Sequence, residues 1–391
     1  MLFPIVFIGF SAQVVFGATI YVSPTGLDTA AGTITAPLKS IQSAIDKAVA
    51  GDTIYLRAGT YSPTTNIQIK KSGTASALYT LSAYSTEKVI IDGEGLPYTP
   101  ADLDASLPSA SRGILHIQGA SYWKLYGIEL INGPYGIYAV DSSYNTYEKL
   151  VTRDNYETGF QLQGASAHNT VLYLDSYGNR DPRKNGESAD GLGFKEGTGA
   201  GNLIKGARLW NNVDDGLDLW EFKTGIEIQD TISWGNGFNR WGFTDFGGDG
   251  NGFKLGGGDA ADIGAANHIV NNSIAFLNAA KGFTDNSQTG NFVLTRNTAW
   301  NNGDSGFKMA TAVSTLTSNI AALNTNSQVS LSGTQTQSGN SWNIGGTWNN
   351  ATFKSVDSSS VTGARASSGK IVGSDFLLPV SGAALGATTY W

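Results

Sequence analysis

The chain reads as an all-β protein, a right-handed parallel β-helix with a short N-terminal capping helix, on three observations. Composition comes first: 50 Gly, 10 Pro and 11% aromatic residues among 391 favour short strands joined by many turns over long helices. The second is a column of Gly followed by an apolar residue, at Gly136–Ile137, Gly159–Phe160, Gly191–Leu192, Gly216–Leu217, Gly282–Phe283 and Gly306–Phe307, with glycine spacings of 23, 32, 25, 66 and 24. The long gap holds one more match, Gly250–Asn251. The third is an Asn four residues before the glycine, at Asn132, Asn155, Asn212, Asn278 and Asn302. A repeat of this length is too short for a propeller blade and fits one coil of a solenoid, whose coils must stack to bury their apolar faces. The regular Leu spacing of a leucine-rich repeat is absent. Ile137, Phe160, Leu192, Leu217, Phe283 and Phe307 are then an interior ladder, and the Asn column sits at a bend.

The opening "MLFPIVFIGFSAQVVFGA" is an uncharged apolar run too short to span a bilayer and ends on small residues, which predicts a secretory signal at 1–17 and an extracellular protein. The rest, 18–391, is expected as a single β-helix domain. In "APLKSIQSAIDKAVAGDTIYLRAGTY", Pro37 starts a helix, Leu38, Ile41, Ile45, Ala48 and Val49 share one face, and Gly51 stops it. The helix closes the first coil, and a strand from Thr53 to Leu56 follows. From about 311 the sequence turns rich in Ser, Thr, Asn and Gly, which predicts irregular final coils and a tail returning along the side. Asn271 and Asn350 stand in glycosylation sequons.

With no Cys and three His, His116, His168 and His268, a metal site has to be built mainly from oxygen, so hard cations are the candidates. A net charge of −7 argues against nucleic acid. No second long apolar run suggests a membrane partner, and a monomer is expected.

"GARLWNNVDDGLDLWEF" gathers Asp214, Asp215 and Asp218 in a chain only 15% charged. Packed carboxylates raise one another's pKa and call for solvation, a shared proton or a cation. The coils "ADGLGFK" (189–195), "DDGLDLW" (214–220) and "GDGNGFK" (248–254) align without gaps. Side chains alternate along a strand, so Phe194, Leu219 and Phe253 point inward, while Asp218 and Lys254 share the outer face with backbones about 8 Å apart. Asp190 falls one coil from Asp215. Four carboxylates from two coils suit calcium, which takes six to eight oxygen ligands. Lys195 and Lys308 also point outward, so periodicity alone leaves the choice of a base open.

The segments "SADGLGFKEGTGAGNLIKGARLWNNVDDGLDLWE" and "GGDGNGFKLGG" resemble polysaccharide lyase family 9, the parallel β-helix pectate lyases, over residues 189–256 and more loosely over about 20–310. The resemblance implies a calcium ion on Asp190, Asp214, Asp215 and Asp218, and Lys254 as the base of a β-elimination on an anionic plant cell-wall polysaccharide. It implies the reaction type more firmly than the polymer, since similar enzymes act on rhamnogalacturonan. Substrate contacts are expected along the groove at Lys195, Trp220, Arg240, Lys281 and Lys308, with Trp241 as a further sugar platform. The insertions at 180–188, carrying Arg183 and Lys184, and at 238–248 would shape that groove. Two other readings compete. A polygalacturonase-like hydrolase would use Asp214 and Asp215 as acid and base, but no His is followed by Gly as that family requires. A secreted polysaccharide-binding β-helix would hold calcium structurally.

Overall fold

The computed structural model describes residues 17–259 and 261–391; the expected leader at 1–17 therefore lies almost wholly outside the described residues. Three parallel sheets wind around one core: a 12-stranded sheet from Thr19–Val22 to Gln335–Ser338, and two of 10 strands. One of the 10-stranded sheets runs from Gly59–Tyr61 to Ile320–Ala322; the other, from Ile67–Ile69 to Ser327–Leu331, carries the candidate site and is called the site sheet below. Each coil contributes one short strand to each sheet, which is the expected parallel β-helix.

The interior ladder is present. Ile137, Phe160, Leu192, Leu217, Phe253, Phe283 and Phe307 are consecutive partners in the site sheet and are all buried. The rings of Phe253, Phe283 and Phe307 stack at 4.6 and 4.9 Å between centroids. One register differs from expectation. Leu217 pairs with Phe253, so the repeat glycine of that coil is Gly252 rather than Gly250. The reason is packing: Phe253 fills the apolar position, which the alternative alignment would have given to Asn251.

The Asn column is a ladder of buried amides. Asn155, Asn179, Asn212, Asn236, Asn278, Asn302 and Asn324 follow one another, each Oδ1 accepting the side-chain amide and backbone N–H of the Asn one coil earlier where that residue is an Asn. Asn132 is not a rung. Its coil has one residue fewer between rung and glycine, so Gly133 N–H faces Asn155 Oδ1 at 3.1 Å and Asn132 bonds Asp92 instead. The glycine column exists because of this ladder. A Cβ on Gly191, Gly216 or Gly252 would lie 2.8–2.9 Å from the Nδ2 of Asn212, Asn236 or Asn278, inside van der Waals contact. The two sequence columns are thus one packing unit.

The capping helix is shorter than expected, Ile41–Lys47. The Ser40 side chain accepts the Ser43 N–H at 3.2 Å and makes a better N-cap than Pro37. Leu38 is drawn into backbone pairing with Tyr21 and Ser23, and Val49, past the last turn, is exposed. At the other end coils persist in register to Ser338. Residues beyond 341 then pack along the sheet ending at Ile320–Ala322: Phe376 meets Phe276 edge to face at 5.1 Å, and Arg365 and Arg208 both grip Asp175.

Asn236→Ala should unfold at markedly lower denaturant with unchanged slope, a loss of about 2–4 kcal/mol, because the amides of Asn212 are left buried without their acceptor. A second prediction concerns His268, fully buried, with Nδ1 accepting the Ile226 N–H at 3.1 Å. Burial pushes its pKa down to about 3 from 6.5. The unfolded chain therefore takes up a proton below pH 6.5 that the folded chain refuses, and stability falls with acidification between those values by about 1.4 kcal/mol per pH unit. His268→Asn, the residue that fills this file at Asn145, Asn169 and Asn202, should flatten that part of a stability-against-pH curve.

Candidate active site

Three successive strands of the site sheet, Leu192–Gly197, Leu217–Asp218 and Phe253–Lys254, build the site. Inward residues anchor each strand in the core; the alternate positions Gly193, Asp218 and Lys254 form one file on the outer face. Because Gly252 and not Gly250 is the repeat glycine, Lys254 stands directly beside Asp218, one coil away, and not at the diagonal offset expected. The file just before the column glycine runs Asp190, Asp215, Asn251, Lys281, so the first two lie one coil apart as expected.

The four aspartates are buried, Asp190 and Asp215 completely. Asp190 accepts from Thr158 Oγ1 at 3.2 Å and from the Asp215 N–H at 3.2 Å. Asp215 Oδ1 accepts from Asn251 backbone and side chain at 2.6 and 2.9 Å. Lys195 folds back over Gly193, whose missing side chain leaves it room, and its Nζ bridges Asp190 and Asp218 at 2.7 and 2.8 Å. Lys254 Nζ reaches Asp249 at 2.8 Å, Asp215 at 3.2 Å and Asp218 at 3.7 Å. It also lies 5.2 Å from the centre of the Trp220 ring.

The electrostatics follow from burial without enough countercharge. Desolvation raises Asp190 to about 6 and Asp215 to about 7, and with Asp215 and Asp190 it raises Asp214 well above the carboxylate range. Asp218 goes the other way: burial opposes its charge, but Lys195 and Lys254 outweigh it and hold the pKa below the ordinary value. For Lys254 burial likewise opposes the charge, and Asp218, Asp215, Asp214 and Asp249 overcome it, holding the ammonium well above the lysine range. Four buried carboxylates face two ammonium groups, which leaves two formal negative charges, the complement of one divalent cation.

The donor set fits such a cation. It is all oxygen, and Asp218 Oδ1 is buried with no partner, while Asp215 Oδ2 has only the Lys254 ammonium beside it at 3.2 Å. Asp190, Asp215 and Asp218 each offer an oxygen within 4.8 Å of the others. Asp214 belongs to an overlapping group with Asp215 and Asp249, its Oδ1 accepting the Asp249 N–H at 2.6 Å. Asp249 was passed over in the sequence although it stands inside "GDGNGFK".

A cleft of about 700 Å³ opens above this floor, lined among others by Arg112, Tyr135, Arg183, Lys195, Trp220 and Lys254. Lys195 and Trp220 are therefore where the sequence reading put them. Arg240 is not: its guanidinium is held by Asn211 and lies over the Phe238 ring, and Trp241 packs near Phe243. Lys308 lies on the Lys254 file two coils on, and Lys281 faces Asp304 at 3.8 Å; neither lines the cleft. Arg112 and Tyr135, which do line it, sit outside the three aligned coils and gave no periodic signal.

The sequence profile described as Pel9A-like, right handed beta helix region, matches residues 20–346. The chain is similar to pectate lyase PEL9 of Emericella nidulans, 65% identical with 96% of each chain covered, and to pectate lyase L of Dickeya chrysanthemi, 34% identical over 90% of this chain and 81% of the other. Among solved structures it is similar to the crystal structure of pectate lyase Pel9A, with a TM-score of 0.78, 29% identity and coverage of 95% and 91%.

Calcium should raise the melting temperature, by mass action on the folded state, and a chelator should reverse the gain. Asp215→Asn, which removes a charge from the oxygen cluster, should weaken calcium binding measured by calorimetry by at least about tenfold.

Proposed function

This chain belongs to the Pel9A-like right-handed β-helix family and is a pectate lyase, and we propose that it is a secreted, calcium-dependent one that cleaves polygalacturonate by β-elimination with Lys254 as the base. The observation that carries the reading is Lys254 on the cleft floor, its Nζ against Asp215, Asp218 and Asp249 beside a buried Asp218 oxygen that has no partner.

Asp190, Asp214, Asp215 and Asp218 would hold the calcium. When bound, that ion would withdraw charge from the uronate carboxylate and so make the adjacent C5 proton more acidic. Lys254 Nζ, neutral at the moment of reaction, takes that proton; the C5–H electrons form the C4–C5 double bond as the C4–O bond to the leaving sugar breaks, and water protonates the leaving oxygen. The neutral amine is scarce while Asp218, Asp215, Asp214 and Asp249 hold Lys254 charged, and engaging those carboxylates elsewhere releases it. Lys195 bridges Asp190 and Asp218 and offsets one of their two charges, and Trp220 lies beside the base.

Ultraviolet absorbance with polygalacturonate should grow with calcium and stop with a chelator, because elimination leaves a conjugated unsaturated product. Reducing ends without absorbance would instead mark a hydrolase. Lys254→Ala should lose about 10²–10⁴ of the rate while its circular dichroism spectrum still reports the β-helix. Since the base works deprotonated, kcat/KM should climb from neutral to alkaline pH by up to about tenfold per unit until the base is titrated. A flat profile would reject Lys254 as the base.

A further inference from the structure

The two ends of the cleft differ in how their charges are paired. At the calcium-site end, acid exceeds base. At the other, Arg112 lies over the Tyr138 ring, 5.4 Å from its centre, with Nε donating to the Leu107 carbonyl at 3.3 Å and Nη1 to the Tyr138 hydroxyl at 3.4 Å. Among the described residues Arg112 has no carboxylate partner, and its Nη2 makes no hydrogen bond. The acid nearest in charge is Glu157, and Glu157 is already taken: buried to 2% exposure, its Oε1 accepts from Arg183 Nε at 2.7 Å and pairs with Arg183 Nη2 at 2.5 Å. Arg112 thus adds a guanidinium without an ion-pair partner to the wall of a cleft in a protein of net charge −7, beside Arg183, which Glu157 and the nearby Asp181 already engage. The wall is stiff. Arg183 Nη1 also bonds the Ala105 carbonyl and its own carbonyl accepts the Asp104 N–H, tying the 180–188 insertion to the loop that leads to Arg112.

Tyr138 is four coils from Lys254 on the same outer file, through Gln161, Gly193 and Asp218, so the strand position that Arg112 covers lies about 19 Å along the sheet from that of the base at the usual strand spacing. We infer that Arg112 is a distal subsite that binds a uronate carboxylate several sugar units away from the bond being cut, on a wall fixed by the Glu157–Arg183 pair. A half-buried guanidinium lacking a counter-ion offers a planar fork that matches a carboxylate and gains most from one. The inference rests on the pectate lyase reading and adds that this enzyme grips a long stretch of acidic polymer.

The test compares polygalacturonate with trigalacturonate, whose three rings cannot reach from Lys254 to Arg112, in the calcium-loaded enzyme. Arg112→Gln should raise KM on the polymer about tenfold and by less than twofold on the trimer, with kcat on the polymer little changed; Arg112→Lys should recover part of the loss and keeps the test open if the Gln variant folds poorly. An unchanged polymer KM, or equal rises on both substrates, overturns the subsite. If the unmodified enzyme forms unsaturated product from neither substrate, it is the pectate lyase reading that fails.

Discussion

Each functional side chain depends on the parallel register between adjacent coils, and the buried Asn ladder with its facing glycines holds that register. Every rung satisfies the preceding coil's backbone and side chain at once, inside the protein, where an unmade hydrogen bond costs about 1–3 kcal/mol. The glycines opposite let each rung sit against the strand of the coil before it. A slip of one residue would break the ladder and turn every side chain of the coil to the other face. Register therefore turns sequence offsets into neighbours about 4.8 Å apart.

On that scaffold the site is a concentration of like charge that the core would not tolerate elsewhere. Inward leucines and phenylalanines anchor the strands, while the positions between them crowd buried acids onto the floor of the cleft. Lys195 and Lys254 offset part of the charge. The remainder is what makes the oxygens suited to a divalent ion and keeps Lys254 responsive to whatever engages those carboxylates.

The loops outside the repeat set the cleft's shape and the charge of its far end. The 180–188 insertion contributes Arg183, bolted to Glu157, and Glu157 is the chain neighbour of Thr158, which bonds Asp190. One short stretch of chain thus joins the acidic floor to the basic wall. The 238–248 loop instead sets Arg240 against Asn211 and Phe238.

Period and composition alone determined the solenoid, its interior ladder and the gathering of Asp190, Asp214, Asp215, Asp218 and Lys254 on one face, because a β-helix repeats its geometry every coil and alternation along a strand is local. Tertiary structure decided what local pattern does not encode. It chose Gly252 over Gly250 by burying Phe253, moved Lys254 beside Asp218, brought Lys195 into the carboxylate cluster, and drew Asn179, Asn236 and Asn324 into a ladder whose following loops differ in length. It also set Arg112 and Arg183 on one wall, from segments about seventy residues apart. Those contacts arise where variable loops fold back on the regular coils, and loop conformation is fixed by what it packs against rather than by its own sequence period.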